Sequence, residues 1–394
     1  MADSAKKTKT AGRASPEHNA TLSAEKQRVA AQSNGTEAWR RWGPYLSERQ
    51  WGTVREDYSA HGEAWDSFSH DQARSRAYRW GEDGIAGFSD SKQRLCLGLA
   101  LWNGKDPILK ERLYGLTNGE ANHGEDVKEL YYYLDATPSH AYLKMLYKYP
   151  QAEFPYAQIV EQNRKRGKHE AEFELMDTGV FDENRYFDVF VEYAKADVSD
   201  ILMRVTAHNR GDADAPLHIL PQLWFRNTWA WGYDPARPAL SADETNCIIV
   251  EHPTLGNYHC YVDAEPDLLF CDNDTNTARL YGQPASGYSK DAFHDYVIHG
   301  NHHAVNPLQN GTRAAAHFNF TIPAQGKVEV RLRLSREPNK KAFEDFDRIF
   351  TTRLTEADEF YAELQSDLSD DDARLIQRQA LAGMIWSKQF YYYD

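Results

Sequence analysis

The sequence is poor in several features that would point to common functions. Four cysteines in 394 residues are too few and too widely spaced for a disulfide framework or a zinc motif. The formal net charge is -14, which argues against nucleic-acid binding because phosphate recognition relies on a basic surface. No apolar run is long enough for a signal peptide or a membrane span, so we expect a cytoplasmic protein without membrane contacts. Phosphate-cradling glycine loops, nucleophile elbows and dinucleotide fingerprints are also missing from the sequence.

What the chain does have is aromatic residues and repeated strand signals. Aromatic side chains make up 13% of the sequence, a content that suits a β-rich protein. Alternating apolar residues predict strands within residues 95–101, 187–193 and 201–207. At 318–334 two alternating stretches flank the turn 323–326, which predicts a β-hairpin. Repeated antiparallel signals with turn residues between them predict a mainly β fold, an antiparallel β-sandwich.

Parts of the chain depart from this β pattern. Residues 1–35 have almost no bulky apolar side chain and are predicted to be disordered, because burial cannot offset the entropy of ordering them. The sandwich would occupy residues 36–337. Within it a helical insertion is predicted at about 138–166, on the apolar stripe formed by Tyr142, Met145, Leu146 and Tyr149. After residue 338 the composition becomes helical, with apolar stripes in place of alternation.

The least generic part of the chain is residues 112–156. A polar, glycine-punctuated loop at 117–126 precedes an aromatic run at 130–134 that predicts a buried strand. A loop dense in acid, amide and imidazole groups and held by aromatic elements is a common way to fix polar groups for a ligand. The candidate ligand-contacting residues in this loop are Glu120, Asn122, His123, Glu125 and Asp126.

Long blocks of mixed composition carry a resemblance to a known family. They are GLTNGEANHGEDVKELYYYLDATPSHAYLKMLYKYPQAEFPY (115–156), DTGVFDENRYFDVFVEYAKA (177–196), PLHILPQLWFRNTWAW (216–231) and IWSKQFYYYD (385–394). These blocks resemble bacterial members of the family 63 glycoside hydrolases, relatives of the mannosyl-oligosaccharide glucosidases. The resemblance covers roughly everything after residue 39.

The resemblance implies both an architecture and a function. The family couples an amino-terminal β-sandwich of the super-sandwich type to an (α/α)6 barrel that holds the acid and base carboxylates. This chain would then contain the sandwich, linker helices at 338–368 and the first barrel helix at 369–394, with no catalytic residue. The implied function is hydrolysis, with inversion, of α-glucosidic bonds in oligosaccharides, by a glucosidase without cofactor or metal, partnered by the remainder of its catalytic domain. Implied substrate contacts at the helix end are Trp386, Lys388, Gln389, Phe390 and Tyr391.

Other readings of the same residues stay open at this point. The main alternative to an enzyme is a non-catalytic carbohydrate-binding or interaction module left by truncation, and a scaffold unrelated to sugar is a third. With 59 acidic residues, carboxylate pairs mean little by themselves. Glu120, Glu125 and Asp126 could act as acid or base, contact substrate or another domain, or form a structural loop network.

Three further motifs have a structural and a functional interpretation. The aromatic group formed by Trp224, Phe225, Trp229, Trp231 and Tyr233 is interpreted mainly as packing, although sugars also stack on such rings. The histidine-rich run at 291–303 lacks a recognised metal-ligand spacing. Asp272, Asp274 and Asn276 begin like a calcium loop that lacks its glycine and its closing glutamate. We therefore expect no metal.

Overall fold

The computed structural model describes residues 22–48, 50, 54, 59–61, 68–113, 129–167, 169–232, 236–243 and 245–388. The strands in these residues are β1 (Trp42–Pro44), β2 (Ile85–Asp90), β3 (Leu95–Trp102), β4 (Leu130–Ala136), β5 (Tyr142–Pro150), β6 (Tyr186–Asp197), β7 (Asp200–Asn209), β8 (Ala215–Phe225), β9 (Ala239–Ala242), β10 (Cys247–Glu251), β11 (Tyr258–Val262), β12 (Asp267–Cys271), β13 (Asn310–Gly311), β14 (Arg313–Ile322) and β15 (Lys327–Ser335). The helices are α1 (Ala24–Asn34), α2 (His70–Ala73), α3 (Tyr156–Lys165), α4 (Thr277–Tyr281), α5 (Ala292–His299), α6 (Phe346–Leu364) and α7 (Asp371–Trp386).

The strands form two sheets that face each other. The six-stranded sheet has the order β1-β2-β3-β8-β14-β12, and the nine-stranded sheet has the order β13-β9-β10-β11-β15-β7-β6-β5-β4. Neighbouring strands pair in the antiparallel sense in both sheets. One hydrophobic core draws side chains from both sheets. The predicted antiparallel β-sandwich is confirmed, and helices follow it.

The core lies between the inner faces of the two sheets. On β3 the alternating leucines point inward and are buried, and β6 and β7 contribute their alternating residues from the opposite sheet. Burying a side chain of this size stabilises the fold by about 1.5–3 kcal/mol. The strands predicted at 95–101, 187–193 and 201–207 are thus confirmed.

The helical stripe predicted on Tyr142, Met145, Leu146 and Tyr149 is wrong. These residues belong to β5, which pairs with β4 and β6. The inward side chains of β5 are Leu143, Met145, Tyr147 and Tyr149, which alternate as in any half-buried strand. Tyr142 and Leu146 lie on the other face, so apolar residues on both faces mimicked helical spacing. Only α3, later in the predicted insertion, is helical.

The hairpin predicted at 318–334 is wrong in its pairing, although both of its strands exist. β14 pairs with β8 and β12 in the six-stranded sheet, whereas β15 pairs with β7 and β11 in the nine-stranded sheet. The turn at 323–326 therefore crosses from one layer of the sandwich to the other. Alternation marks which face of each strand is buried, and it does so equally for two strands on opposite sides of one core.

The prediction of disorder is wrong for the part of residues 1–35 that forms α1. This helix docks through polar contacts: Glu25 is fully buried and accepts hydrogen bonds from the backbone N and the hydroxyl of Ser139, at 2.6 and 2.7 Å. Arg28 pairs with Glu25 at 3.1 Å and with Glu356 of α6. Gly35 ends the helix in the left-handed region, at φ 73°. Residues 1–21 lie outside the described part of the chain.

The two helices after β15 pack differently. α6 buries Phe346, Ile349 and Phe350 on the outer face of the nine-stranded sheet, against side chains of β5, β6 and β7. α7 packs against β4 through Ala382 and Trp386. The four cysteines are buried and form no disulfide.

Candidate functional site

Most of the predicted ligand-contacting residues lie outside the described residues. This holds for Glu120, Asn122, His123, Glu125 and Asp126, and equally for Gln389, Phe390 and Tyr391. Trp386 and Lys388 are described. The site can therefore be built only from these two residues and from the side chains that hold the ends of residues 114–128.

Trp386 lies in the core and not on a surface that a sugar could reach. Its side chain is 1% exposed and stacks on Tyr133, with ring centroids 5.0 Å apart and planes 13° apart. Its Nε1–H donates to the backbone O of Asp135 at 3.2 Å. Both the ring and the polar atom are used, so the predicted substrate contact is corrected to a packing role.

Lys388, the second residue after the end of α7, contacts a segment that carries a buried carboxyl group. The backbone O of Lys388 accepts from the backbone N of Leu46 at 2.7 Å. Two residues later Glu48 is buried and accepts a hydrogen bond from the Tyr133 hydroxyl at 2.5 Å. Burial raises the pKa of Glu48, with the Tyr133 and Ser47 hydrogen bonds acting against that rise. A carboxyl group whose pKa is raised by burial is therefore hydrogen-bonded to the Trp386–Tyr133 stack.

A buried ion cluster lies on the outer face of the six-stranded sheet; we use this name for Asp83, Glu111, Arg112, Lys290 and Arg313. Arg112 Nε lies 2.5 Å from Asp83 Oδ1, and Lys290 also pairs with Asp83. Arg313 pairs with Glu111, and Arg112 Nη2 lies 3.6 Å from Glu111 Oε2. Every member is at most 6% exposed, so each charge depends on its partners and not on water.

Electrostatics within the cluster keep its acids ionised. Burial alone would raise the pKa of Glu111, but the Arg313 and Arg112 guanidinium groups outweigh burial and hold that pKa below its usual range. Arg112 and Lys290 likewise overcome burial and lower the pKa of Asp83. Glu82 behaves in the opposite way: burial, and then the charge of Asp83, raise its pKa to about 7.

The space inside this cluster is too small for a substrate. The cavity that it lines with Trp224 measures about 10 Å³, enough for about one water molecule. The indole N–H of Trp224 is buried and has no hydrogen-bond partner within the described residues. We conclude that the cluster is structural, because hydrolysis of a glycoside requires room for a sugar between two carboxyl groups.

The cluster does fix one end of the stretch that holds the predicted loop. Arg112 comes two residues before the undescribed residues 114–128, and Glu129 follows them. Glu129 is buried and accepts from Lys110 Nζ at 2.6 Å and from the Tyr147 hydroxyl at 2.8 Å. Both ends of this stretch are thus held by buried ionic contacts. Glu129 also leads into β4, the strand that carries Tyr133.

The histidine-rich run does place three possible metal ligands together. Ligand atoms of His294, Asp295 and His299 lie within 4.8 Å of one another. Nδ1 of His294, however, accepts a hydrogen bond from the backbone N of Leu109 at 3.3 Å, so the neutral ring carries its proton on Nε2. Burial, followed by the charge of Arg74, lowers the pKa of His294 to about 3. Nδ1 of His294 is therefore already used by a backbone group of the protein.

The acidic residues that begin like a calcium loop are paired with an arginine side chain. Arg237 Nη2 lies 2.8 Å from Asp272 Oδ1 and 2.8 Å from Asp274 Oδ2. The same Asp274 accepts a hydrogen bond from the indole N–H of Trp229 at 3.0 Å. The structure therefore joins two motifs that are separate in the sequence, the Trp229–Trp231 turn and the acidic loop. Trp224 and Phe225 of the predicted aromatic group are buried, and Tyr233 lies outside the described residues.

None of the helices in the described ranges combines the length and the apolar character that crossing a bilayer requires.

Comparison with known proteins gives one close sequence relative. No family model matches the chain. The uncharacterized protein YMR196W of Saccharomyces cerevisiae is 44% identical over 417 aligned positions, which cover 93% of this chain. The chain spans 38% of the length of that yeast protein. Most of the yeast protein therefore has no counterpart here.

Solved structures give weak likenesses only. A provisionally assigned kojibiose phosphorylase from the human microbiome has 8% identity and a TM-score of 0.22, covering 76% of this chain and 32% of its own. A provisionally assigned aldose 1-epimerase of Escherichia coli K12 has 8% identity and a TM-score of 0.23, covering 54% of this chain and 68% of its own. At these TM-scores neither likeness carries an argument about function.

Proposed function

We propose that this chain forms the sandwich and first helices of an inverting glycoside hydrolase that acts on α-glucosidic bonds of oligosaccharides. The sequence blocks that resemble family 63 support this proposal, and so does the order of a β-sandwich followed by helices. The proposed partner is the remainder of a helical catalytic domain, for which the length of the yeast relative leaves ample room.

The single observation that carries the proposal is the exposed apolar surface of α7. Ala382 and Trp386 are buried against β4, while Leu375, Ile376 and Met384 of the same helix are 52%, 61% and 76% exposed. Several exposed apolar side chains on one helix usually contact another element. A second layer of helices would cover them, as in a barrel of paired helices.

The catalytic acid and base are proposed to lie outside the described residues. An inverting pair stands about 6.5–9.5 Å apart with sugar and water between the carboxyl groups. The buried carboxylates Asp83 and Glu111 are occupied by cations and enclose only about 10 Å³. They are therefore poor candidates.

The predicted loop and helix end remain proposed substrate-side elements. Glu129, which follows the stretch containing Glu120 to Asp126, leads into β4. Tyr133 on that strand stacks on Trp386, two residues before Lys388. One edge strand thus links the two sequence regions to which the resemblance assigns substrate contacts. Lys388 and residues 389–391 keep that proposed role, whereas Trp386 packs in the core.

Enzyme assays on the chain and on its longer relative test the proposal. Residues 1–394 and the full-length yeast protein would be incubated with 4-nitrophenyl α-glucoside and a panel of glucose disaccharides, and proton NMR would identify the first anomer released. We expect hydrolysis with release of β-glucose by the yeast protein and no turnover by the chain alone. Failure of the yeast protein on every substrate, release of α-glucose first, or turnover by the purified chain would each overturn it.

A further inference from the structure

Three tryptophans lie at one end of the six-stranded sheet, where Trp229 also packs against the core of the sandwich. Trp229 and Trp231 lie in a short 3-10 turn after β8, and Trp80 comes from the connection between α2 and β2. The rings of Trp80 and Trp231 have centroids 5.3 Å apart and planes inclined by 37°. All three side chains are partly exposed. We call this group the indole platform.

Hydrogen bonds fix the backbone segments that carry the platform. Asn227 Nδ2 donates to the backbone O of Asn273 at 2.8 Å, and Asn227 Oδ1 accepts from the backbone N of Ala230 at 3.2 Å. The backbone N of Trp80 donates to Glu82 Oε2 at 2.8 Å. Because buried polar contacts fix the backbone on both sides, the rings need little reordering to receive a ligand, which lowers the entropic cost of binding.

A polar rim of both signs borders the platform. Arg237 bridges Asp272 and Asp274, and its guanidinium carbon lies 5.2 Å from the centre of the Trp229 ring. The side chains of Arg237 and Asp274 are 44% and 38% exposed, so their outer atoms reach solvent. Carboxylate oxygens accept and guanidinium N–H groups donate, which together match hydroxyl groups that do both.

We propose that the indole platform, with Asp272, Asp274 and Arg237, binds a pyranose residue of a neutral saccharide. The apolar C–H face of the sugar would lie on indole, and its hydroxyl groups would reach the carboxylate–guanidinium rim. A cationic ligand fits less well, because Arg237 already neutralises part of the acidic charge. An anionic one would meet two carboxylates. That the saccharide is an α-glucan rests on the proposed function.

Calorimetric titration of residues 1–394 with maltoheptaose tests this assignment. We expect saturable binding that weakens about tenfold or more, equivalent to about 1.4 kcal/mol, in Trp229→Ala and in Trp231→Ala. Asp274→Asn should weaken binding as well, through loss of acceptor strength and of the Arg237 contact. Tyr132→Ala removes an aromatic ring that is 42% exposed on β4 and should leave affinity unchanged.

Folding and specificity controls keep the result decisive. Trp229→Phe retains an aromatic face and should bind better than Trp229→Ala, and near-ultraviolet circular dichroism would verify the fold of each variant. The site would be refuted by no saturation with maltoheptaose, laminarin or mannan, by equal binding in folded alanine variants, or by preferential binding of a proline-rich peptide. Binding is measured on this chain and hydrolysis on the yeast relative, so either proposal can fail alone.

Discussion

The indole of Trp386 lies flat against the phenol ring of Tyr133, with ring centroids 5.0 Å apart and planes 13° apart. This contact joins the last described helix to the edge strand of the nine-stranded sheet. The Tyr133 hydroxyl also donates a hydrogen bond to the buried carboxyl group of Glu48.

Truncation of that indole should be costly. Trp386→Ala removes a fully buried ring, and we expect the free energy of unfolding to fall by about 3–5 kcal/mol. The matched control is Met384→Ala on the exposed face of α7, where the side chain is 76% exposed and the effect should stay within about 0.5 kcal/mol. Urea unfolding measures both. Similar losses for the two variants would mean that the outward face of α7 is not open in solution.

A substitution in α1 can test its docking on the rest of the fold separately from its tendency to form a helix. Glu25→Ala raises intrinsic helix propensity yet removes the acceptor for Ser139 and the partner of Arg28. We expect limited proteolysis of the unmodified chain to leave a core that begins at or before Ala24. The Glu25→Ala core should begin after Asn34. Gln27→Ala, at an exposed position on the same helix, should behave like the unmodified chain. A core that begins after Asn34 in all three proteins would contradict the docking.

Glu82 should make stability depend on pH near neutrality. Its folded-state pKa is raised from 4.5 to about 7 by burial and then by Asp83. The unfolded chain therefore loses this proton first as pH rises, so the contribution of Glu82 is complete below pH 4.5 and lost as pH rises through 7. Relative to the unmodified chain, Glu82→Gln should gain roughly 3 kcal/mol between pH 4.5 and 8. Melting curves of Glu82→Gln and of the exposed control Glu265→Gln measure this, and parallel pH profiles for all three proteins would argue against it.

The buried ion cluster should respond strongly to loss of one cation. Arg313→Met removes the guanidinium that pairs with Glu111 and donates to Gln222 in a buried site, and we expect a loss of about 3–5 kcal/mol. The same substitution at Arg331, which is 28% exposed and paired with Glu329, should cost no more than about 1 kcal/mol. Equal melting temperatures for the two variants would show that the cluster does not depend on its charge balance.

The sequence predicted the strands well and their partners poorly. Alternation at 95–101, 187–193 and 201–207 identified β3, β6 and β7, because the side of each strand that faces the core carries its larger apolar residues. The same signal at 318–334 could not tell a hairpin from a crossing between layers. In β5 both faces carry apolar residues, so helical spacing and strand alternation overlap at Met145 and Tyr149.

The other features that the sequence did not predict, α1 and the buried ion cluster, are held by polar contacts. α1 has almost no apolar surface, and its attachment depends on Glu25 and Arg28, whose partners are more than 100 residues away in sequence. The buried ion cluster was missed for the same reason, since Asp83, Lys290 and Arg313 meet only through the fold. The sequence indicated the WAW segment and the acidic loop as two separate motifs. Nothing in the sequence links Trp229 to Asp274.

Helix α1 is synthesised early, but its attachment to the fold depends on residues that are synthesised much later. Arg28 and its partner Glu356 are 328 residues apart, so a ribosome adding about 5–20 residues per second needs roughly 20–60 s to deliver the second after the first. Ser139 can receive Glu25 once it has been synthesised, 114 residues after Glu25, but the α6 side of the contact does not exist until much later. Among the helices in the described residues, the first to be translated is therefore one of the last to be fixed in place.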